Sequence, residues 1–182
     1  MTGELRPLTL ADVERVRLWR EDPVTRAGLR RPDPLTVERQ AQWYQDVICR
    51  PESSPHRYWA VVVDGQFVGQ VSLESIDPHV KAEIGLITDP AVRGKGCGKI
   101  ALGLLLAKGF DEMGLRRIWG VCYASNSALG FWDKMLGVFG GVVMADEDWT
   151  ETNTDHRNGQ ESPSRRFWFT AEAWRERRAA CQ

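Results

Sequence analysis

The chain has 182 residues, a net charge of -1 at pH 7 and a hydrophobic content of 42%. This length and composition predict one domain over residues 1–182, with a core at about 3–170 and a C-terminal tail at 171–182. The charge excludes general electrostatic binding to nucleic acid, and no apolar run approaches the roughly 20 residues that span a membrane. Because the N-terminus lacks the pattern of a signal peptide, we expect a cytoplasmic protein without a membrane partner.

Secondary structure in the first third of the chain is predicted to be one strand followed by two helices. A short strand is expected at residues 5–8. Thr9 and Asp12 have the spacing of a helix-capping box, and apolar residues follow at helical spacing as far as Trp19. The arginine-rich stretch 23–34 is predicted to be a loop.

A second helix and a hairpin are predicted next. Thr36 is a candidate cap for the helix, which would carry Trp43 and Tyr44 on its apolar side. Residues 58–63 are aromatic and β-branched, and the Asp-Gly pair at 64–65 is a strong hairpin signal.

The remaining elements alternate between strands and helices. They are strands at 67–73 and 80–88, a helix at 99–113 stopped by Gly114, a strand at 117–123, a helix from about 126 to 137, and strands at 138–145 and 166–170 separated by a polar, mostly acidic loop. Antiparallel strands followed by a β-α-β unit predict a mixed sheet in an α/β or α+β domain.

A glycine-rich segment lies between a predicted strand and a predicted helix. It consists of Arg93, Gly94, Lys95, Gly96, Cys97, Gly98 and Lys99. Glycine lets the backbone approach a ligand closely, and the start of a helix offers unpaired amides and the positive end of the helix dipole. With three cations nearby, the segment is predicted to bind a pyrophosphate rather than only to turn the chain.

Two other phosphate-binding motifs fit this segment poorly. The P-loop pattern is absent. A dinucleotide fingerprint is nominally matched by Gly96, Gly98 and Ala101, but residues 89–92 separate it from its strand. The acidic residue expected about 20 positions further on is also missing, which weakens the dinucleotide interpretation without removing it.

These residues resemble the GNAT superfamily of N-acetyltransferases. The segment from Arg93 to Gly98 looks like the R/Q-x-x-G-x-G/A loop of that family, residues 83–90 resemble its fourth strand, and the helix near Asn126 resembles its last conserved helix. The order of elements matches over about residues 3–170. The early segments most resemble the branch that acts on ribosomal protein N-termini, aminosugars and aminoglycosides.

The resemblance implies a fold and a co-substrate. The fold is a mixed, mostly antiparallel sheet of about seven strands, splayed between the fourth and fifth, with flanking helices. Acetyl-CoA would be the donor, with its pyrophosphate on the glycine-rich segment. Its pantetheine arm would pair with the backbone of Leu86, Ile87 and Thr88, and Asn126 would contact that arm. A backbone amide near Leu86 would stabilise the oxyanion.

Direct transfer to an amine needs a base, because an alkyl amine is mostly protonated at pH 7. Glu83 is the candidate general base, because the resemblance places it at the splay, in a position like that of an acid in some relatives. A strand-surface glutamate paired with Lys81 or Arg117 is the alternative interpretation. Glu74 and Asp77 are weaker candidates for the same role.

The leaving thiolate has no obvious proton donor. Many members of the resembled family use a tyrosine in the last helix, and here Phe131 and Trp132 fill that place. Tyr123 is the candidate replacement. Cys122 and Cys97 are weaker candidates as nucleophiles of a covalent route.

Acceptor residues are predicted from the first two helices, where Trp19, Arg20, Trp43 and Tyr44 offer stacking and hydrogen-bonding groups, although each aromatic side chain also fits core packing. We expect transfer to a primary amine of a small molecule, such as an aminosugar or aminoglycoside, in a ternary complex. A protein N-terminal acetyltransferase and a non-catalytic acyl-CoA-binding module are the alternatives. The sequence leaves a homodimer open and has no metal-ligand spacing among its cysteines and histidines.

Overall fold

A seven-stranded mixed sheet forms the centre of this computed structural model, which describes residues 1–29, 33–50, 54–143, 154–155, 160–161 and 164–180. The strands in chain order are β1 (Gly3–Arg6), β2 (Arg57–Val63), β3 (Gln66–Asp77), β4 (Lys81–Thr88), β5 (Arg117–Tyr123), β6 (Val142–Val143), β7 (Thr154–Asp155), β8 (Gln160–Glu161) and β9 (Ser164–Thr170). The large sheet has the order β1-β2-β3-β4-β5-β9-β6, and β7 pairs with β8 separately.

Six α-helices lie among the described residues. They are α1 (Leu10–Glu21), α2 (Pro23–Gly28), α3 (Val37–Trp43), α4 (Cys97–Ala107), α5 (Leu129–Phe139) and α6 (Ala171–Ala179). Two of them continue into π-helical turns, α3 at Tyr44–Ile48 and α4 at Lys108–Glu112.

The sheet splays between β4 and β5, as the sequence predicts. These two strands are the parallel pair, and their register contains three residue pairs, the last of which joins Glu83 to Trp119. Beyond that point β4 pairs on its other side with β3, and β5 pairs with β9. The predicted fold class is therefore confirmed, including the seven strands and the place of the gap.

Separate apolar clusters cover the two faces of the sheet. The larger cluster joins α4, α5 and α6 to one face, with Leu105, Phe110 and Phe167 almost fully buried in it. The smaller cluster joins α1 to the opposite face through Val13 and Trp19. The predicted C-terminal tail is helix α6, which buries Trp174 in the larger cluster.

The start of α1 is held by the predicted capping box. The Asp12 amide donates to Thr9 Oγ1 at 3.2 Å, and Asp12 Oδ2 accepts from the Thr9 amide at 2.8 Å. Arg6 donates to both oxygens of the same carboxylate, at 2.6 and 2.9 Å. Burial alone would raise the pKa of Asp12, but the hydrogen bonds from Arg6 and Thr9 outweigh it and lower the pKa to about 2.

We expect Asp12→Asn to lower the free energy of unfolding by about 1–2 kcal/mol at neutral pH, because it removes a buried charge-assisted pair at a helix cap. Because the pKa of Asp12 is lower in the folded state, its carboxylate stabilises the fold fully above the unfolded pKa near 3.9, and this contribution is lost as the pH falls towards about 2. The difference in unfolding free energy between the wild type and Asp12→Asn should therefore shrink over that interval. Urea titrations at several pH values measure it. Glu14→Gln, at the Glu14–Arg17 pair on the same helix, where the Glu14 side chain is 39% exposed, should change stability by less than about 0.5 kcal/mol. If Asp12→Asn lowered the free energy of unfolding as much at low pH as at neutral pH, the lowered pKa of Asp12 would be contradicted.

Several predicted boundaries are wrong, among them those of the first strand, which is observed at Gly3–Arg6 rather than at 5–8. The stretch 23–34 is not only a loop, because Pro23–Gly28 forms α2 with Asp22 as its cap. Proline is favoured at the first position of a helix, and this signal was outweighed by the prolines and arginines around it. Helix α5 begins at Leu129 rather than near Asn126, and it ends before Gly140, which has a φ of 73°.

The late part of the chain differs from the prediction. Residues 138 and 139 belong to α5, and the strand expected at 138–145 is described only at Val142–Val143, because residues 144 and 145 lie outside the described residues. Most of the predicted acidic loop, including Asp146, Glu147, Asp148 and Glu151, lies outside the described residues.

Candidate active site

The gap between β4 and β5 presents backbone groups that the sheet does not pair. The Asp89 amide donates to the Val68 carbonyl at 2.8 Å, so the backbone of Asp89 faces β3. Because the direction alternates along a strand, Ile87 also faces β3, whereas Leu86 and Thr88 face the gap. The gap can thus accept one further extended chain along β4.

The glycine-rich segment follows β4 after residues 89–92, which include a short 3-10 turn at Pro90–Val92. Gly94 and Gly96 have φ values of 74° and 84°, a region that glycine enters without strain. A Cβ at Gly94 would have no neighbour within 4 Å, and one at Gly96 would meet only the end of Met1. The loop is therefore open on its outer side.

Helix α4 begins at the end of this loop, with Gly96 as its cap residue. The amides of Lys99 and Ile100 both donate to the Gly96 carbonyl, at 3.1 and 3.3 Å. The amides of Cys97 and Gly98 precede them in the first turn, where no intrahelical acceptor exists. They are directed towards the open end of the helix, as an anion site requires.

The three cations of the segment differ in their surroundings. Lys95 and Lys99 are exposed. Arg93 instead donates from Nη2 to the Asp22 carboxylate and, at 2.6 Å, to Thr25 Oγ1. The pairing with Arg93 holds the pKa of Asp22 at about 2.

Asn126 is hydrogen-bonded within the protein on both sides of its amide group. Its Nδ2 donates to the Gly28 carbonyl at 3.2 Å, and its Oδ1 accepts from the Ala128 amide at 2.9 Å. The predicted role of Asn126 at the pantetheine arm stays a prediction, and it would have to coexist with these contacts.

The candidate base Glu83 is buried where the gap opens, with 8% of its surface exposed. It is the last residue of β4 that pairs with β5, and it lies opposite Glu74 on β3. Residues opposite each other in antiparallel strands have side chains on the same face. The two carboxylates therefore share the face covered by α1, and Asp77 lies towards the closed end of the gap.

A polar network around Glu74 was not foreseen from the sequence. Ser72 Oγ donates to Glu74 Oε1 at 2.8 Å. Burial, and then the charge and hydrogen bonding of Glu74, raise the pKa of Tyr58. A Cβ on Gly85 would lie 2.2 Å from Ser72 Oγ, so glycine there leaves room for the network. The sequence signal was available, since Ser72 and Glu74 alternate with the apolar residues of their strand.

Burial lowers the pKa of Arg20, and the charges of Glu21 and Glu74 oppose that shift. Trp19 stacks on Phe67 with ring centroids 5.0 Å apart, and 7% of its surface is exposed. Of these two candidate acceptor residues, Trp19 belongs to the core, whereas Arg20 is partly exposed.

The other two candidate acceptor residues pack against the protein while keeping part of their surface exposed. Trp43 makes an edge contact with Tyr58, with centroids 4.9 Å apart. The Tyr44 hydroxyl donates to the Leu8 carbonyl at 3.4 Å.

No hydroxyl group occupies the place of the missing tyrosine on α5. The Phe131 ring lies 3.1 Å from the position of a Cβ on Gly98, so it packs against the start of α4. Trp132 packs against Phe167 with centroids 4.7 Å apart. Tyr123 is buried at the end of β5, with 3% of its surface exposed, and its role as proton donor stays a prediction.

Neither cysteine considered as a nucleophile is exposed. Cys122 is buried, and burial raises the pKa of its thiol to about 11. Cys97 is also buried, whereas Cys49 is exposed. A covalent route through Cys122 is disfavoured, because the thiolate is the nucleophilic form.

We expect iodoacetamide at about pH 8 to modify Cys49 and to leave Cys122 unmodified in the folded protein, because the thiol at residue 122 is both buried and protonated. Peptide mass mapping after a timed reaction measures both sites. The same reaction in denaturant is the control and should modify both. Equal rates at the two sites in the folded protein would contradict the expectation.

Two further classes of site were sought among the described residues. In that part of the chain no three His, Cys, Asp or Glu side chains come together in a way that could hold a metal ion. The helices described there include none long and apolar enough to cross a membrane.

Comparison with known proteins gives a family match over most of the chain. Residues 4–130 match the family model described as acetyltransferase (GNAT) domain. A search of curated proteins found no significant match.

Several solved structures are similar over nearly the whole chain. A spermidine N-acetyltransferase from Vibrio cholerae, in complex with CoA and spermine, has 18% identity and a TM-score of 0.78, with 94% of this chain and 97% of that chain covered. A ribosomal alpha-N-protein acetyltransferase in complex with coenzyme A has 17% identity and a TM-score of 0.76, covering 95% and 96%. An acetyl transferase from Salmonella typhimurium that modifies the N-terminal serine of a ribosomal protein has 16% identity and a TM-score of 0.75, covering 93% and 95%. At these identities the similarity is one of fold.

Proposed function

Since the chain belongs to the GNAT family of acetyltransferases, we propose that it transfers the acetyl group of acetyl-CoA to a primary amine of a small molecule, by direct attack in a ternary complex. The observation that carries the proposal is the gap between β4 and β5, which lies beside an open glycine loop and a buried carboxylate.

The donor side of the gap fits acetyl-CoA. The backbone of Leu86 and Thr88, which faces the gap, would pair with the amide groups of the pantetheine arm, as an added strand does. The amides at the start of α4 would bind the pyrophosphate, with Lys95 and Lys99 adding positive charge. Ile87 directs its backbone to β3, so the proposed backbone pairing involves Leu86 and Thr88 and not Ile87.

The chain's own groups suffice for aminolysis of a thioester. Glu83 would take a proton from the amine, directly or through a water molecule, as the amine nitrogen forms a bond to the carbonyl carbon. The Leu86 amide would stabilise the oxyanion of the tetrahedral intermediate. Collapse of that intermediate breaks the carbon–sulfur bond, and a thiol of pKa about 8.5 is a tolerable leaving group near neutral pH without a dedicated acid. Tyr123 is the candidate for any proton delivered to sulfur.

The chemistry of the acceptor side favours a small cationic amine. Two carboxylates, Glu74 and Glu83, share the face of the sheet beside the gap. Carboxylates in a partly desolvated site attract ammonium groups. An aminosugar, an aminoglycoside or a polyamine has the amino groups that such a face would bind, with Arg20 placed to contact a neighbouring polar group.

Incubation with acetyl-CoA and a panel of amines, with the released thiol measured, tests the proposal. We expect thiol release that depends on the amine and saturates with small polyamines or aminosugars. Binding of acetyl-CoA without amine-dependent release would support a non-catalytic module instead. A reaction without amine is the matched control.

A protein N-terminus is the second candidate acceptor, since two of the similar folds belong to acetyltransferases whose names describe that substrate. The same assay distinguishes the two candidates when a short peptide with a free N-terminus replaces the small amine. Preference for the peptide would overturn the small-molecule assignment and leave the acetyl-CoA chemistry in place.

A further inference from the structure

Helix α2 is hydrogen-bonded to the loops on both sides of the gap between β4 and β5. At its first end, the cap residue Asp22 and Thr25 accept hydrogen bonds from Arg93, which follows β4. At its last end, the Gly28 carbonyl accepts from Asn126, which follows β5. Because β4 and β5 are parallel, these two loops lie at the same edge of the sheet, where the gap is open.

The length of α2 matches the width of a gap that holds one extra chain. Strands are about 4.8 Å apart, so two strands with a chain between them are separated by about 10 Å. A six-residue helix is about 9 Å long. An extended arm lying along β4 would therefore run under α2 before it reaches the glycine loop.

The charged side chain of Arg93 links α2 to the proposed phosphate site. Arg93 is the first residue of the glycine-rich segment, and its guanidinium is paired with Asp22. A pyrophosphate bound on the loop would be a second anion near the same side chain, and arginine binds phosphate and carboxylate oxygens with the same N–H groups.

We propose that α2 covers the gap between β4 and β5 and that Asp22 is a positioning residue, which competes with the phosphate groups of CoA for Arg93. When CoA binds, Arg93 exchanges its contact with Asp22 for one with the phosphate. The contact between α2 and the loop after β4 is then lost, while the contact between α2 and Asn126 is kept. This proposal rests on the proposed function, because it needs CoA as the ligand.

Calorimetric titration of CoA and of pantetheine into the wild-type protein and Asp22→Asn tests it. Asparagine keeps the cap oxygen and removes the competing charge. We expect Asp22→Asn to bind CoA about two- to fivefold more tightly, the range of an exposed ion pair, and pantetheine as the wild type does. Asp22→Ser, which also keeps a cap oxygen, should behave in the same way if the first variant folds poorly.

Glu112→Gln is the matched control, because it removes an equal charge from the exposed pair between Lys108 and Glu112 at the far end of α4. It should leave both affinities unchanged. Three results would overturn the proposed exchange of Arg93 and leave the proposed function standing. They are CoA binding by Asp22→Asn that is unchanged or weaker, an equal change in its affinity for pantetheine, and an equal increase in the CoA affinity of the control. Absence of CoA binding to the wild type would overturn both.

Discussion

Replacing Glu83 with Gln is expected to slow acetyl transfer by about a hundredfold or more near pH 7, and by much less near pH 10. General base catalysis typically contributes about 10²–10⁴-fold. At neutral pH most of the amine is protonated, so loss of the base removes the group that takes its proton. Near the pKa of the amine, about 10.4, the neutral amine is abundant and the base is needed less.

The measurement is the pH profile of kcat/KM for a saturable amine, together with direct binding of acetyl-CoA. Gln keeps the size of Glu83, so acetyl-CoA binding should be unchanged. Glu74→Gln is the matched control, because it changes the carboxylate directly opposite on β3. We expect a smaller loss that is similar at all pH values, since Glu74 already accepts a hydrogen bond from Ser72.

A flat profile for Glu83→Gln would remove Glu83 from the mechanism. If Glu74→Gln instead lost activity mainly at neutral pH, the base would be assigned to Glu74, and the network around it would become part of the catalytic machinery.

Replacing Gly96 with Ala is expected to weaken CoA binding about tenfold. The φ of 84° at this position disfavours any residue with a Cβ, by about 1–2 kcal/mol. The loop relieves that strain by turning its peptide planes, which moves the amides at the start of α4 away from the phosphate. Each 1.4 kcal/mol corresponds to a factor of ten in Kd.

Gly114→Ala is the control for strain alone. Gly114 has a φ of 66° and lies beyond the C-terminal end of the same helical segment, away from the gap. Both variants should lose similar stability in thermal unfolding, and only Gly96→Ala should raise the Kd for CoA, measured by calorimetry. Equal Kd values for the two variants would contradict a phosphate site on the glycine loop.

Local patterns in the sequence predicted most of the elements, although not α2, and they carried the resemblance to the family. The capping box at Thr9 and Asp12, the Asp-Gly hairpin and the glycine loop each depend on residues close together in the chain, so their signals survive without tertiary information. The gap between β4 and β5 was predicted through the resemblance, which carries the long-range pairing that a single sequence does not contain.

Contacts between distant segments could be read only from the structure. Arg93 and Asp22 are separated by 71 positions, and Asn126 and Gly28 by 98. Nothing local to α2 indicates that it spans the gap, because that position depends on where two later strands end. The pairing of Glu74 with Glu83 depends on the register of β3 and β4, and the burial of Trp19 on the packing of α1.

The sequence by itself therefore determined the glycine loop, through local spacing, and the fold class and family, through the resemblance that this loop and the order of elements carry. The tertiary structure decided which groups face the gap and which side chains are already engaged. It placed the backbone of Leu86 and Thr88 towards the gap between β4 and β5 and that of Ile87 towards β3, because alternation along a strand acquires a direction only when its neighbours are known. It also paired Arg93 with Asp22, because only folding brings α2 to the edge of the sheet.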